Sequence, residues 1–363
     1  MAVRVLHVTQ PTDGGVAAYV AAAVADQAAR GFEVTVACPD GPLADHVGHA
    51  HRPWPARRSP TRSVWREVRA LRRVVDEVTP DVVHLHSSKA GLAGRLAGLD
   101  ATVLFQPHGW SWCAAQGMCA VAALLWERRA ARRADRIICV GDGELEHGRA
   151  AGVDARYAVI RNGVDLKRFA VAGDAERAAA RRALGVRGGP LALCLGRVTP
   201  QKGQDVLLSA WPRVVARRPD ARLALVGDGT PDRKVPRGVL TVPAVADPRP
   251  WLVAADVVVL PSRWEGLPFV ALEAMATGRS VVASDIPGLA ELVTPDVGAL
   301  VPPEDPRALA VALAERLADG CPRTAAEGVA AARAATAYDA DVTYAALAAL
   351  TLDVAGFGAP PVK

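Results

Sequence analysis

The chain lacks any apolar run long enough to span a membrane, which takes about 20 residues. The alanine-rich segment Ala17–Ala29 is interrupted by Asp26 and Gln27. The start, MAVRVLHVTQ, has neither the basic cluster nor the long apolar stretch of a secretory leader, so a cytoplasmic protein is expected. Cysteine is sparse. Six are present (Cys38, Cys113, Cys119, Cys139, Cys194 and Cys321), with no CxxC pair and no Cys/His cluster at zinc spacing. A zinc or dithiol redox site is therefore not expected. Cys139 and Cys194 fall inside RIICV and LALCL, where a thiol acts as a small hydrophobe. Neither GxGxxG nor GxxxxGK[ST] occurs, and Gly227-Asp228-Gly229 is too short to qualify, which disfavours a nicotinamide dehydrogenase or a P-loop nucleotidase. The net charge of +5 is modest for 363 residues and comes without a recognisable nucleic-acid module, so no nucleic-acid partner is expected.

With 51% hydrophobic residues the chain can bury a large core. Its length exceeds the ~250–300 residues at which single cores stop growing, so two domains are expected. Short apolar runs alternate with helical stretches, the α/β signature. Strands are predicted at Val3–Val8, Glu33–Ala37, Asp81–Leu85, Thr102–Phe105 and Arg136–Val140, with a further short one in YAVIRNGVD. A helix follows the first strand from about Val16 to Ala29. Another occupies 63–78, with Val64, Trp65, Val68, Leu71, Val75 and Val78 as its apolar positions and Pro80 ending it. A polar connector at 165–188 precedes a second series: LALCLGR, ARLALVGDG, VLTVP, ADVVVLPS and SVVASD. The boundaries are 1–164 for an N-terminal Rossmann-like domain and 165–337 for a C-terminal one. A final helix, within 338–363, can return to the first domain. Ligands of two such doubly wound domains bind at the carboxyl ends of the strands, in a cleft.

Four constellations stand at predicted strand ends. In SRWEGLPFVALEAMATG, Glu265 follows a buried strand, Gly266-Leu267-Pro268 makes a turn, and Glu273 lies on the helix that starts at Phe269. A helix N-terminus favours anionic groups, and carboxylates beside it accept hydrogen bonds from sugar hydroxyls; both glutamates also fit as simple dipole partners. In LGRVTPQKG, Arg197 and Lys202 form a cation pair suited to a diphosphate. Gly14 and Gly15, between the first strand and helix, permit close backbone approach to a phosphate or sugar. His108, in QPHGW after the strand TVLF, can meet a sugar hydroxyl or serve the fold. His84 and His86 flank Leu85 and share a face, and His86-Ser87-Ser88-Lys89 adds polar groups at the same rim.

In this order the constellations resemble retaining glycosyltransferase family 4, whose members have the GT-B fold. The matching residues are GG at 14–15, HG at 108–109, VIRNGVD at 159–165, LGRVTPQKG at 195–203, LALVGDG at 223–229 and PSRWEGLPFVALEAMATG at 261–278. VVHLHSSKAGLAGRLAG at 82–98 with QPHGWSW is similar to the capsule and exopolysaccharide branch. The resemblance implies two Rossmann-like domains facing a central cleft and a nucleotide diphosphate sugar donor, a UDP-sugar by preference. It implies neither metal ion nor other cofactor. Glu273 would bind the ribose. Glu265, Gly266 and Leu267 would contact the donor sugar. Arg197 and Lys202 would stabilise the departing diphosphate, Gly15 would approach the phosphate and acceptor region, and His108 would stand near the reacting centre. Gly14, His86, Lys89 and His108 are the acceptor-side candidates.

The acceptor is a growing glycan, a lipid-linked glycan or a soluble small molecule. A nucleotide-sugar epimerase on the same scaffold is the alternative of another class. Arg52, Arg57, Arg58, Arg62, Arg66, Arg69, Arg72 and Arg73 form either a solvated helix face or a cluster that attracts an anionic surface, the inner membrane face at its periphery or a phosphate-bearing acceptor. Trp110, Trp112, Cys113 and Met118 form an apolar loop after His108 that packs the core or covers a ligand. GDGELEH at 141–147 is assigned no function.

Overall fold

Residues 2–57, 63–318 and 320–357 are described by a computed structural model. Their strands form two all-parallel sheets. The first sheet contains β1 (Arg4–Thr9), β2 (Glu33–Cys38), β3 (His51–Pro53), β4 (Val82–His86), β5 (Thr102–Gln106), β6 (Arg136–Cys139) and β7 (Tyr157–Val159). The second contains β8 (Leu191–Leu195), β9 (Arg222–Val226), β10 (Val239–Val242), β11 (Val257–Leu260), β12 (Ser280–Ser284) and β13 (Gly298–Val301). The orders are β3-β2-β1-β4-β5-β6-β7 and β10-β9-β8-β11-β12-β13. Each sheet thus reverses its direction of growth once, between β1 and β4 and between β8 and β11. In doubly wound sheets that switch point is where strand ends diverge and ligands find room.

Parallel strands with helices on both faces are buried on both faces, which is why LALCL and VVVL are apolar without alternation. In the first sheet Leu6, Val8, Val83, Leu85 and Phe105 meet Val68, Leu71 and Val75 of the helix Val64–Val78. In the second, Cys194, Leu225 and Val259 pack on Leu207 and Trp211 of the helix Gln204–Arg217. Trp65, expected on the buried stripe of Val64–Val78, is instead 62% exposed. At about 100° per residue it lies a quarter-turn away from the line through Val64, Val68, Leu71 and Val75.

The chain divides into one unit of Met1–Arg161 with Asp341–Lys363 and another of Asn162–Ala340. The helix Ala340–Val354 packs in the first unit: Thr351 accepts from Gln27 at 3.4 Å, and the Tyr344 ring lies 5.6 Å from that of Tyr19. No helix of the described residues is long and apolar enough to cross a membrane. Arg58 and Arg62 lie outside the described residues. Of the other arginines in that run, Arg52 pairs with Glu77, Arg72 donates to the Ala97 carbonyl, and Arg66, Arg69 and Arg73 are exposed.

Candidate functional site

In the second unit, the loops after β8 and β11 carry the cations and the carboxylate. Arg197 is exposed just past β8, and its loop is shaped from within by Gln204. The Gln204 amide donates to the carbonyls of Gly196 and Arg197 at 3.3 and 2.9 Å and accepts from the Thr199 N–H. Gly203 ends the turn at φ +64°, and a Cβ there would sit 2.0 Å from the Pro261 carbonyl oxygen, so only glycine lets the two loops touch. Arg263 fastens them further. It forks onto both carboxylate oxygens of Asp205, at 2.9 and 2.8 Å, and donates to the Pro200 carbonyl. That pairing holds the Asp205 carboxyl below its ordinary range.

This packing sets Lys202 Nζ 2.6 Å from Glu265 Oε1. The Ser262 hydroxyl donates to the same oxygen at 2.8 Å, and Gln201 Nε2 lies 3.4 Å from the other. An ammonium has three N–H donors, so one bond to Glu265 leaves capacity for phosphate oxygens. The turn that follows is held from below. Asn162 donates to the Leu267 carbonyl at 2.7 Å, and Gly288 comes so close that a Cβ would lie 1.7 Å from the Gly266 carbonyl oxygen. Glu273 lies on the helix Phe269–Ala276. Burial raises its carboxyl to about 7, against the pull of Arg168.

In the first unit, Gly14 and Gly15 are exposed at the start of the helix Gly14–Ala29, past the end of β1. His108 follows β5 in the left-handed region, at φ +53°, as does Ser87 after β4, at φ +66°. Strained non-glycine backbone at two neighbouring strand ends marks a place the surrounding structure holds against its preference. His108 Nε2 is 3.2 Å from His86 Nδ1, and His86 Nε2 is 2.9 Å from His7 Nδ1. Burial drives the histidines neutral: His108 to about 3, His7 to about 4, and His84 and His86 well below the usual range.

Two acceptor-side expectations are corrected. His86 is fully buried and stands behind His108 rather than at a rim, because alternation along β4 turns it toward the helix Gly14–Ala29. Lys89 is also buried. It is an ion-pair partner of Glu67 at 2.7 Å, where the helix Ser87–Ala97 packs on Val64–Val78. In the apolar loop Trp110 belongs to the core, whereas Met118 is 89% exposed.

Glu144 had no assigned role. Its buried carboxylate accepts from the backbone N–H groups of Gly109 and Val140, tying the His108 turn to the end of β6. Burial pushes it up to about 7. His7 and Gln27 were likewise missed, although a histidine inside the buried strand RVLHVT is an anomaly that points to a polar partner.

Residues 13–168 match the family described as Glycosyltransferase Family 4, and residues 189–319 match glycosyl transferases group 1. The chain is 30% identical over 284 residues to the UDP-Gal:alpha-D-GlcNAc-diphosphoundecaprenol alpha-1,3-galactosyltransferase of Escherichia coli, covering 71% of this chain and 72% of that protein. It is 36% identical over 193 residues to a GDP-mannose-dependent monoacylated alpha-(1-6)-phosphatidylinositol monomannoside mannosyltransferase of Corynebacterium glutamicum, covering 48% of this chain and 51% of that one. The chain thus spans about half the length of several relatives it matches. The fold is that of HepE from Anabaena, solved with UDP and glucose, at a TM-score of 0.82, 21% identity and coverage of 97% and 99%. Sucrose-phosphate synthase from Thermosynechococcus elongatus gives 0.81, at 22% identity and the same coverage. Two Rossmann-like sheets of this order are the GT-B fold, and the chain belongs to glycosyltransferase family 4.

Proposed function

We propose that the chain transfers a sugar from a nucleotide diphosphate sugar to a glycan or lipid-linked acceptor, with retention of configuration and without a metal ion. The observation that carries this reading is the Lys202–Glu265 pair, held by interlocked loops at the β8/β11 switch point, with Arg197 exposed in the same loop. As the bond from the anomeric carbon to the phosphate oxygen breaks, negative charge grows on the diphosphate. Fixed cations there stabilise the transition state more than the ground state. The acceptor hydroxyl bonds to the same carbon and passes its proton to the departing phosphate oxygen. Glu265, with the backbone of Gly266 and Leu267, orients the donor sugar. Glu273 accepts from the ribose hydroxyls. Gly14 and Gly15 leave room for phosphate and acceptor, and His108 meets the donor sugar.

A UDP-sugar is the favoured donor, on the name of the relative that is matched over most of its length. A lipid-linked acceptor at a membrane surface is favoured over a soluble one by two features of the first unit. Met118, Val121 and Leu125 expose an apolar stripe on the helix Gly117–Ala130, and Trp65 stands among the exposed Arg66, Arg69 and Arg73. The test is transfer from nucleotide sugars to lipid-linked acceptors, with excess EDTA or with manganese. Equal rates are expected, and Lys202→Ala should lower kcat about 10²- to 10³-fold. A strict manganese requirement, or a fully active Lys202→Ala, would contradict the proposal. Acceptor-independent conversion of the nucleotide sugar would point to an epimerase.

A further inference from the structure

The buried polar chain behind His108 has a direction that can be read from its far end. The Thr351 hydroxyl donates to the Leu347 carbonyl, 2.8 Å away and one helical turn back. Its oxygen is then an acceptor for Gln27 Nε2 at 3.4 Å. This turns the Gln27 carbonyl oxygen toward His7 Nε2, 2.8 Å away. An amide oxygen only accepts, so His7 Nε2 carries the hydrogen, and the other nitrogen of that neutral ring is an acceptor. His86 Nε2, 2.9 Å from His7 Nδ1, therefore donates, and His86 Nδ1 must accept. The donor to it is His108 Nε2 at 3.2 Å. His108 is left with a lone pair on Nδ1, which has no partner among the described residues.

We propose that Gln27 and Thr351 are positioning residues that lock His108 in the Nε2–H tautomer through His7 and His86. Its Nδ1 is then a fixed acceptor for a hydroxyl of the donor sugar. The ring itself is held in place: Tyr19 packs edge-on against it at 5.0 Å, and Glu144 clamps the next N–H in the chain. Gln27, His7, His86 and Thr351 are each no more than 1% exposed, so water does not compete for the relay. A site that accepts only discriminates against a sugar lacking that hydroxyl, because the analogue leaves the nitrogen unpaired. The kinetic consequence rests on His108 meeting the donor; the tautomer does not.

The experiment is a nitrogen-15 spectrum of the histidine-labelled full chain at neutral pH, with His108 assigned by its loss in His108→Asn. His7, His86 and His108 are each expected to be protonated at Nε2 alone. Gln27→Leu should let His108 populate both tautomers and lower kcat roughly 10- to 100-fold with little change in the donor KM, as expected for a misplaced group. If Gln27→Leu does not fold, Thr351→Val removes only the orienting hydroxyl and reads the same signal. A His108 protonated at Nδ1 in the unmodified protein, or tautomers unchanged by these variants, would overturn the relay. So would stoichiometric zinc bound by His7, His84 and His86, whose ligand atoms lie within 4.8 Å of one another, since an ion would take the lone pairs that the relay uses. Tautomers as expected with an unchanged kcat in Gln27→Leu would sustain the relay and remove His108 from the donor contact.

Discussion

Glu144 shows how a single buried carboxylate shapes the turn that carries His108. It satisfies two backbone N–H groups at the ends of two strand connections, and Glu144→Ala strands both. Leaving buried donors unpaired costs about 1–3 kcal/mol each. That variant is expected to lose stability of this order together with activity, measured by urea unfolding and by transfer rate. Its pH dependence has a definite sign. The folded carboxyl titrates near 7, above its ordinary value of 4.5, so the folded state holds the proton more tightly. The contribution to stability is complete below pH 4.5 and is lost as pH rises through 7. The unmodified protein should therefore lose stability relative to Glu144→Gln from pH 5 to pH 8. A difference between the two that is independent of pH would refute a buried, proton-holding Glu144. At this scale the sequence was most informative where a charged residue stood just past a strongly apolar strand, as Lys202 and Glu265 do. Lys89 and His86 look equally polar on paper. Their burial depends on which helix covers that strand end and on the parity of β4, neither of which a motif records.

Among the elements, the β8 and β11 loops act as one piece because glycine allows backbone to touch backbone at two points. Gly203 meets Pro261 from the β8 side. Gly288, at the start of the short helix Pro287–Ala290, meets Gly266 from below. Gly288→Ala introduces a methyl into space already held by the Gly266 carbonyl, and overpacking of this kind costs about 1–3 kcal/mol. Since that carbonyl lies on the turn carrying Glu265 and Leu267, donor affinity should fall more than stability does, as read by nucleotide titration beside thermal unfolding. Unchanged affinity would separate that turn from the donor site. β8 and β11 were legible because burial on both faces demands continuous apolar runs, and β1, β4 and β12 kept enough apolar positions to be read although histidines or serines interrupt them. β3 and β13 were not. Both are edge strands, one reading His-Arg-Pro and the other opening on glycine, and they are strands through their neighbours' hydrogen bonds rather than through their own composition.

For the whole molecule, two sheets share one order over six strands, the first adding β7 at its edge, and each has its single switch point beside a proposed binding loop. The alternation of apolar runs with helical stretches made this legible in the sequence. The polar interior of the first unit was not legible, because the partners Gln27 and Thr351 are 324 residues apart in sequence. That packing makes the helix Ala340–Val354 part of the histidine relay rather than a trailing segment. The central claim is that the interlocked loops of the second unit hold a nucleoside diphosphate through Lys202, Arg197 and Glu273. The most direct test is thermal unfolding of the full chain with UDP, GDP, ADP and TDP, each with magnesium or with EDTA. A ligand that binds only the folded state at 100 times its Kd adds about 2.7 kcal/mol. The account predicts a clear rise in Tm with one of these nucleotides, equal in magnesium and in EDTA, and lost in Glu273→Ala and Lys202→Ala. No rise with any nucleotide, or one that survives both substitutions, would contradict it.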